Sequence, residues 1–172
     1  MDNPKVIGLD LSMTGTGIAY SNGDTRTVRP KRVGDARLTE IRDHVAEALA
    51  MCDLAVVEDL PTHAKSAGIT GMVHGVVRAL LTENLVPYAL VAPATLKAFA
   101  TGKGNGDKTP MAIAALKRAG REFENDKGGD QCDAWWLRAA GLQWLGAPEF
   151  ELPAAQVARL DKAKWPELEV AR

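Results

Sequence analysis

Apolar positions come in short bursts along the first part of the chain and with helical spacing along much of the rest. Residues 5–12 (KVIGLDLS) and 15–21 (GTGIAYS) are β-type runs joined by a Met13-Thr14 turn, where Gly15 and Gly17 supply backbone freedom. Residues 24–30 (DTRTVRP) continue as a third, more polar strand, so that the three form an antiparallel meander. Leu38, Ile41, Val45, Ala48 and Leu49 then fall on one face of a helix over 36–51. A short buried-type strand, 53–58 (DLAVVE), leads into a polar, proline-containing loop over 59–68.

A helix follows over about 69–84, with Gly71 and Gly75 four apart, a spacing that lets another element pack closely. Residues 87–92 (PYALVA) read as a fifth strand, and Pro93 opens a short helix over 93–100 at a favoured first-turn position. The glycine-rich stretch 101–107 (TGKGNGD) is the most flexible of the chain, and helices over about 108–119 and 129–145 close the fold. This order predicts an α/β fold: a mixed five-stranded sheet, with three antiparallel strands and then parallel crossovers, covered by helices on both faces. It gives one domain over 1–146 and a C-terminal tail over 147–172. With three prolines and few large apolar residues, the tail is expected to pack loosely.

Composition changes this picture little. A chain of 172 residues can bury a full core, and 46% hydrophobic with 25% charged residues is the balance of an ordinary soluble domain. No apolar run approaches the roughly 20 residues of a membrane span. The start, MDNPKVIGLDLS, lacks a basic region followed by an apolar stretch, and Cys52 and Cys132 have no metal-type spacing. They read as free thiols, and a cytoplasmic location is expected. The net charge of −1 does not point to nucleic acid, but its distribution does. Arg26, Arg29, Lys31 and Arg32 form an acid-free cluster, and Lys97, Lys103, Lys108, Lys117, Arg118 and Arg121 share their stretch with the single acid Asp107. Two basic segments on an acidic body suit local phosphate contacts, or else are solvated faces.

The candidate chemistry lies in four carboxylates. Asp10 stands in the first strand, Glu58 ends the fourth, and Asp130 and Asp133 lie at i and i+3 at the start of the last long helix. An unpaired buried charge is costly, and a divalent cation removes that cost. Three separated segments that each deliver acid to one point make an oxygen-lined site for Mg²⁺, with Mn²⁺ able to substitute. Two ions about 3.5–4 Å apart would suit phosphodiester cleavage. Each acid also has a plainer explanation: Asp130 as a helix N-terminal acid, Asp133 as a partner of Arg138 or facing water, Asp10 as a turn cap through Thr14 or Thr16, and Glu58 in a salt bridge. Asp59 reads as the solvated neighbour. His63 and His74 are not assigned to metal, and Trp135, Trp136 and Trp144 are read as core or interface.

The stretches IGLDLSMTGTGIA (7–19), VVEDL (56–60) with GMVHGVVRALL (71–81), APATLKAFATGKGNGDKTPM (92–111) and DQCDAWWLRAAG (130–141) resemble the RuvC-like Holliday junction resolvases, in family order and at family-like spacing. These are metal-dependent nucleases of the RNase H-like superfamily, so the resemblance implies an RNase H-like sheet and an endonuclease that nicks four-way junctions. It makes Asp10, Glu58, Asp130 and Asp133 the ligands, and Lys97 and Lys108 the basic pair at the cleaved strand. Lys103, Arg29, Lys31 and Arg32 are further candidate DNA contacts. It also implies a homodimer, for which the helix over 69–84, with Met72, Val76, Val77, Leu80 and Leu81, is the candidate element unless it is plain core. One departure stands out. After Glu58 the chain reads Asp59-Leu60-Pro61-Thr62-His63, without the aromatic that such resolvases can place there to stack on bases. A broader range of branched substrates, forks and flaps included, is therefore expected.

Two other readings compete. GLDLSMTGTG also resembles the phosphate-binding hairpin of actin-like and sugar-kinase phosphotransferases, which repeat the domain within one chain. A non-catalytic branched-DNA-binding protein would keep the fold without the chemistry.

Overall fold

The computed structural model describes residues 3–50, 52–60, 67–105 and 108–167. Five strands form one sheet: β1 (Val6–Asp10), β2 (Thr16–Ala19), β3 (Thr25–Val28), β4 (Leu54–Glu58) and β5 (Tyr88–Val91). Their order is β3-β2-β1-β4-β5. β1, β2 and β3 pair antiparallel, whereas β4 and β5 join in parallel, as the hydrophobic pattern predicts. Each parallel step needs a crossover helix, and α1 (Ala36–Ala48) and α2 (Ala67–Glu83) supply them. Next come α3 (Pro93–Thr101), α4 (Lys108–Ala119), α5 (Asp130–Trp144), the short α6 (Ala154–Val157) and a 3₁₀ turn over Ala158–Lys162.

Strand alternation divides the core into two layers. Ile7, Leu9, Ala55 and Val57 face α1 and α2, where Ile41, Val45, Val73, Val77 and Leu81 are buried against them. Val6, Leu54, Val56, Ala89 and Val91 face the opposite way, onto Trp136, Leu137 and Ala140 of α5 and Phe99 of α3. Val77, Leu80 and Leu81 of α2 are therefore core, while Met72 remains exposed on the outer side of the same helix.

α5 crosses β1, β2 and β4 closely because glycines remove the Cβ atoms that would block it. A Cβ on Gly8 would collide with the Ala134 carbonyl oxygen, and one on Gly17 with that of Asp130. At the other end of the helix, a Cβ on Gly141 would lie 2.7 Å from the methyls of Val56 and Val6. Among the described residues Gly71 and Gly75 serve no such approach: a Cβ on Gly75 meets nothing within 4 Å, and one on Gly71 meets Leu60 at 4.0 Å.

The tail corrects the expectation of loose packing over residues 147–167. Phe150 stacks on Trp135 at 5.4 Å, and Trp165 stacks on Trp144 at 4.6 Å. Leu160 is buried, and the Gln156 amide donates to the Phe99 carbonyl at 2.7 Å. Lys164 and Leu90 exchange both backbone hydrogen bonds in an antiparallel bridge that covers the free edge of β5. Large apolar residues are sparse here, but nearly every one docks, and two of them meet tryptophans of α5. The remaining residues of the tail, 168–172, lie outside those described.

Candidate active site

Asp10 and Glu58 end adjacent parallel strands. The β1–β4 register pairs Leu9 with Val57, so its continuation sets Asp10 beside Glu58. Both share the strand parity of Val6 and Val56, and both therefore lie on the α5 side of the sheet. On its other side Asp10 is in register with Gly17 of β2, the residue on which the Asp130 backbone rests. The first turn of α5 thus lies at the level of the two strand-ending acids. Asp10 and Glu58 are half-buried, Asp130 keeps 17% of its side chain exposed, and Asp133 is buried.

Local hydrogen bonds account for much of this placement. Between β1 and β2 the Ser12 hydroxyl donates to the Gly15 carbonyl at 2.9 Å, and the Thr16 hydroxyl donates to the Ser12 carbonyl at 2.7 Å. Thr16 is thus engaged with Ser12. Before α5, Gly129 adopts a left-handed φ of 74°, and the Asp126 carboxylate accepts from the backbone N–H groups of Gln131 and Cys132 at 3.1 and 3.0 Å. Asp126 therefore satisfies two of the opening N–H groups of the helix. Sequence reasoning missed this role, although an acid four residues before the helix was a legible signal.

The basic residues separate into distinct groups. Arg29, just past β3, approaches Asp130 at 3.7 Å, closer to the carboxylates than its place in a basic cluster suggested. Lys31 and Arg32 lie beyond it, where their backbone N–H groups converge on Glu40 and lower its pKa, Arg32 contributing most. Lys97 and Lys103 share a cleft of about 410 Å³ with Lys117 and Arg118. Lys108 opens α4, and its side chain lies outside the described part of the structure, as does His63.

Asp59 is not simply solvated: its carboxylate accepts from the Lys164 ammonium at 2.8 Å and from the Leu60 backbone N–H at 2.9 Å. Burial acts to raise its pKa, but the Lys164 and Leu60 hydrogen bonds, with the charges of Lys164 and His74, bring the net value below the ordinary one. Arg138 pairs with Glu149 at 2.7 Å through both terminal nitrogens, which corrects the alternative that Arg138 is the partner of Asp133. The cysteines form no disulfide, and burial pushes the Cys52 thiol up to about 11. Trp135 and Trp136 are core. Among the described residues no helix is long and apolar enough to cross a membrane.

Comparison with known proteins gives the chain a family. The crossover junction endodeoxyribonuclease RuvC of Saccharopolyspora erythraea is 30% identical over 182 aligned residues, which take in 93% of this chain and 89% of that protein. The chain belongs to the RuvC family. No protein-family model matches it. Thermus thermophilus RuvC superposes with a TM-score of 0.64 at 21% identity, over 83% of this chain and 97% of that one. The T. thermophilus RuvC structure in complex with a Holliday junction substrate gives 0.65 at 20% identity, over 84% and 97%. Both show the RNase H-like fold of the RuvC family, and membership in that family removes the phosphotransferase alternative.

Against that family background the donor set fits hard divalent cations in kind. Carboxylate oxygens are the ligands that Mg²⁺ and Mn²⁺ prefer, and the glycines at 8 and 17 leave room for α5 to bring its acids to the strand ends. Among the described residues no three of His, Cys, Asp and Glu lie close enough to enclose an ion as the side chains stand.

Proposed function

We propose that this protein is a divalent-metal-dependent endonuclease that nicks four-way DNA junctions and, without an aromatic after Glu58, other branched DNA. The observation that carries the reading is the register of Asp10 with Glu58 on the sheet and with Gly17 beneath Asp130.

Asp10, Glu58, Asp130 and Asp133 would hold Mg²⁺, or Mn²⁺ in its place, as two ions in each site. When bound, the ions supply an activated water and charge stabilisation for the departing 3′ oxygen. The carboxylates fix where the scissile phosphate sits, because strands and a helix hold them rather than loops. Lys97 and Lys108 neutralise the phosphate as point charges, an interaction that persists as charge develops in the transition state. Arg29 shields Asp130 and meets the DNA backbone beside it. Lys103, Lys31 and Arg32 add backbone contacts that set position rather than sequence.

Two symmetric cuts across a junction call for two sites at fixed separation, which a two-fold homodimer provides. The outer face of α2, with exposed Ile69 and Met72, is the surface offered for that pairing.

The test is incubation with a labelled four-way junction, a duplex and a single strand, each with Mg²⁺ or with EDTA. Paired nicks near the crossover that need the metal are expected. Retarded mobility with no cut under any metal would favour a binding protein and overturn the reading.

A further inference from the structure

The tail does more than close the sheet edge. It runs past the end of α3, where Arg159 and Lys162 form one wall of a cleft of about 290 Å³ whose other wall includes Gly102 and Gly104. We propose that this cleft seats the sugar–phosphate backbone of a DNA arm leading away from the cut. The inference rests on the reading of the protein as a junction endonuclease, and adds to it a binding site built by the C-terminal segment.

Four observations carry it. First, among the described residues no acid lines this cleft, nor the neighbouring one that holds Lys97, Lys103, Lys117 and Arg118. The two clefts lie along the same helix and loop, so six cations border one path. Second, the wall opposite Arg159 and Lys162 is made of Ala94, Thr95, Ala98, Gly102 and Gly104, whose small side chains leave space for a phosphate and its sugar.

Third, the cations stand on a fixed support. Gln156 and Leu160 are buried, the Gln156 amide holds the Phe99 carbonyl at 2.7 Å, and Gly102 lies 3.9 Å, measured from an ideal Cβ, from the Gln156 side chain. Arg159 and Lys162 themselves are exposed. Fourth, the loop alone is a poor seat for an anion. It follows the carbonyl end of α3, which carries partial negative charge, and the Gly102 and Lys103 N–H groups are already bonded to Ala98 and to the Thr101 hydroxyl. Arg159 and Lys162 supply the positive charge that this end of α3 lacks.

The position also suits DNA. α3 begins directly after β5, whose Val91 is in register with Glu58. Ala94 and Thr95 of its first turn line the cleft, and the loop folds back so that an ideal Cβ on Gly104 lies 3.2 Å from the Ala94 carbonyl oxygen, which starts the path within one helical turn of the strand ends.

The experiment compares wild type with the double variant Arg159→Ala/Lys162→Ala, measuring binding to a long-armed junction between 50 and 200 mM salt and the rate of cutting at saturating protein. Two lost phosphate contacts flatten the log–log salt dependence by about two, so wild type loses about tenfold more affinity across that range than the variant. The cutting rate at saturation stays unchanged, and the difference vanishes on a junction whose arms are too short to reach the cleft. Equal affinity and equal salt dependence on long arms, with wild type still binding and cutting, would overturn this site alone. A deficit that persists on the short-armed junction would overturn it too, because the variant would then be impaired elsewhere. Wild type that neither binds nor cuts any junction would overturn the endonuclease reading and this site with it.

Discussion

Gly17 lies between two acids that are far apart in sequence: it is in register with Asp10 across the β1–β2 ladder, and the Asp130 backbone rests where its Cβ would be. A methyl at Gly17 therefore pushes the start of α5 away from Asp10. Gly17→Ala should lower stability by about 1–3 kcal/mol, the usual cost of overpacking, and should raise the Mg²⁺ concentration needed for half-maximal cutting. Gly141→Ala collides with Val6 and Val56 at the far end of the same helix. It should lower stability by a similar amount and leave the Mg²⁺ dependence alone. Urea melts and metal titrations of both variants separate positioning from folding, and an equal metal dependence in the two would break the link between Gly17 and the site.

Removing one carboxylate charge should stop chemistry before it stops binding. Asp10→Asn and Asp130→Asn keep the shape of the side chain but lose a proposed metal ligand. Cutting should fall to background in both, while junction affinity stays within about threefold of wild type, because in the proposed function basic side chains make the DNA contacts. Gel-shift and single-turnover assays read the two effects, and full cutting by either variant would refute its assignment. For Lys97→Ala the rate should fall far more than the affinity. Equal losses in both would make Lys97 a positioning contact.

The candidacy of these four acids comes from their places in the elements: Asp10 and Glu58 end strands, and Asp130 and Asp133 lie in the first turn of α5. Strand alternation and the i, i+3 spacing at Asp130 and Asp133 need only local sequence, and local sequence also fixed the five strands to within a few residues. What local sequence does not contain is pairing across the molecule. Nothing near Arg29 says that it reaches Asp130, and nothing near Asp59 says that Lys164 will return along β5 to meet it. The tail was misjudged for the same reason. Its few large residues look insufficient until Trp144 and Trp135 are known to receive Trp165 and Phe150. Gly71 and Gly75 misled in the opposite sense, since their spacing suggested a close contact that the described residues do not make at Gly75.

His74 gives the fold an acid limit of its own. It is buried on α2, and burial lowers its pKa, with the Asp59 carboxylate opposing and Arg78 assisting the shift. In the unfolded chain the imidazole takes up a proton near pH 6.5, whereas the folded one resists protonation. Its contribution is therefore fully present above that pH and is lost as pH falls below it toward the lower folded value, at no more than about 1.4 kcal/mol per pH unit. Urea midpoints at pH 7.5 and 5.5 should fall further for wild type than for His74→Gln. An equal fall in the two would place the acid sensitivity elsewhere.

The tail is tied to α5 through Arg138, and that tie has a measurable asymmetry. The Arg138 side chain is only 5% exposed, donates at 2.7 Å to both oxygens of Glu149 and gives a further hydrogen bond to the Ser21 carbonyl at 3.0 Å. Its Nε has no partner among the described residues, so Glu149 carries most of the compensation for a buried guanidinium. Glu149 itself is 45% exposed, which moderates the loss when it is removed. Glu149→Gln should cost about 1.5–3 kcal/mol, the scale of a charge-assisted hydrogen bond, because the cation stays buried without its anion. Arg138→Met combined with Glu149→Gln removes the stranded charge as well and should recover most of that loss. Denaturation of the two variants decides the point: a double variant no more stable than Glu149→Gln alone would mean that Arg138 acts by packing rather than by charge.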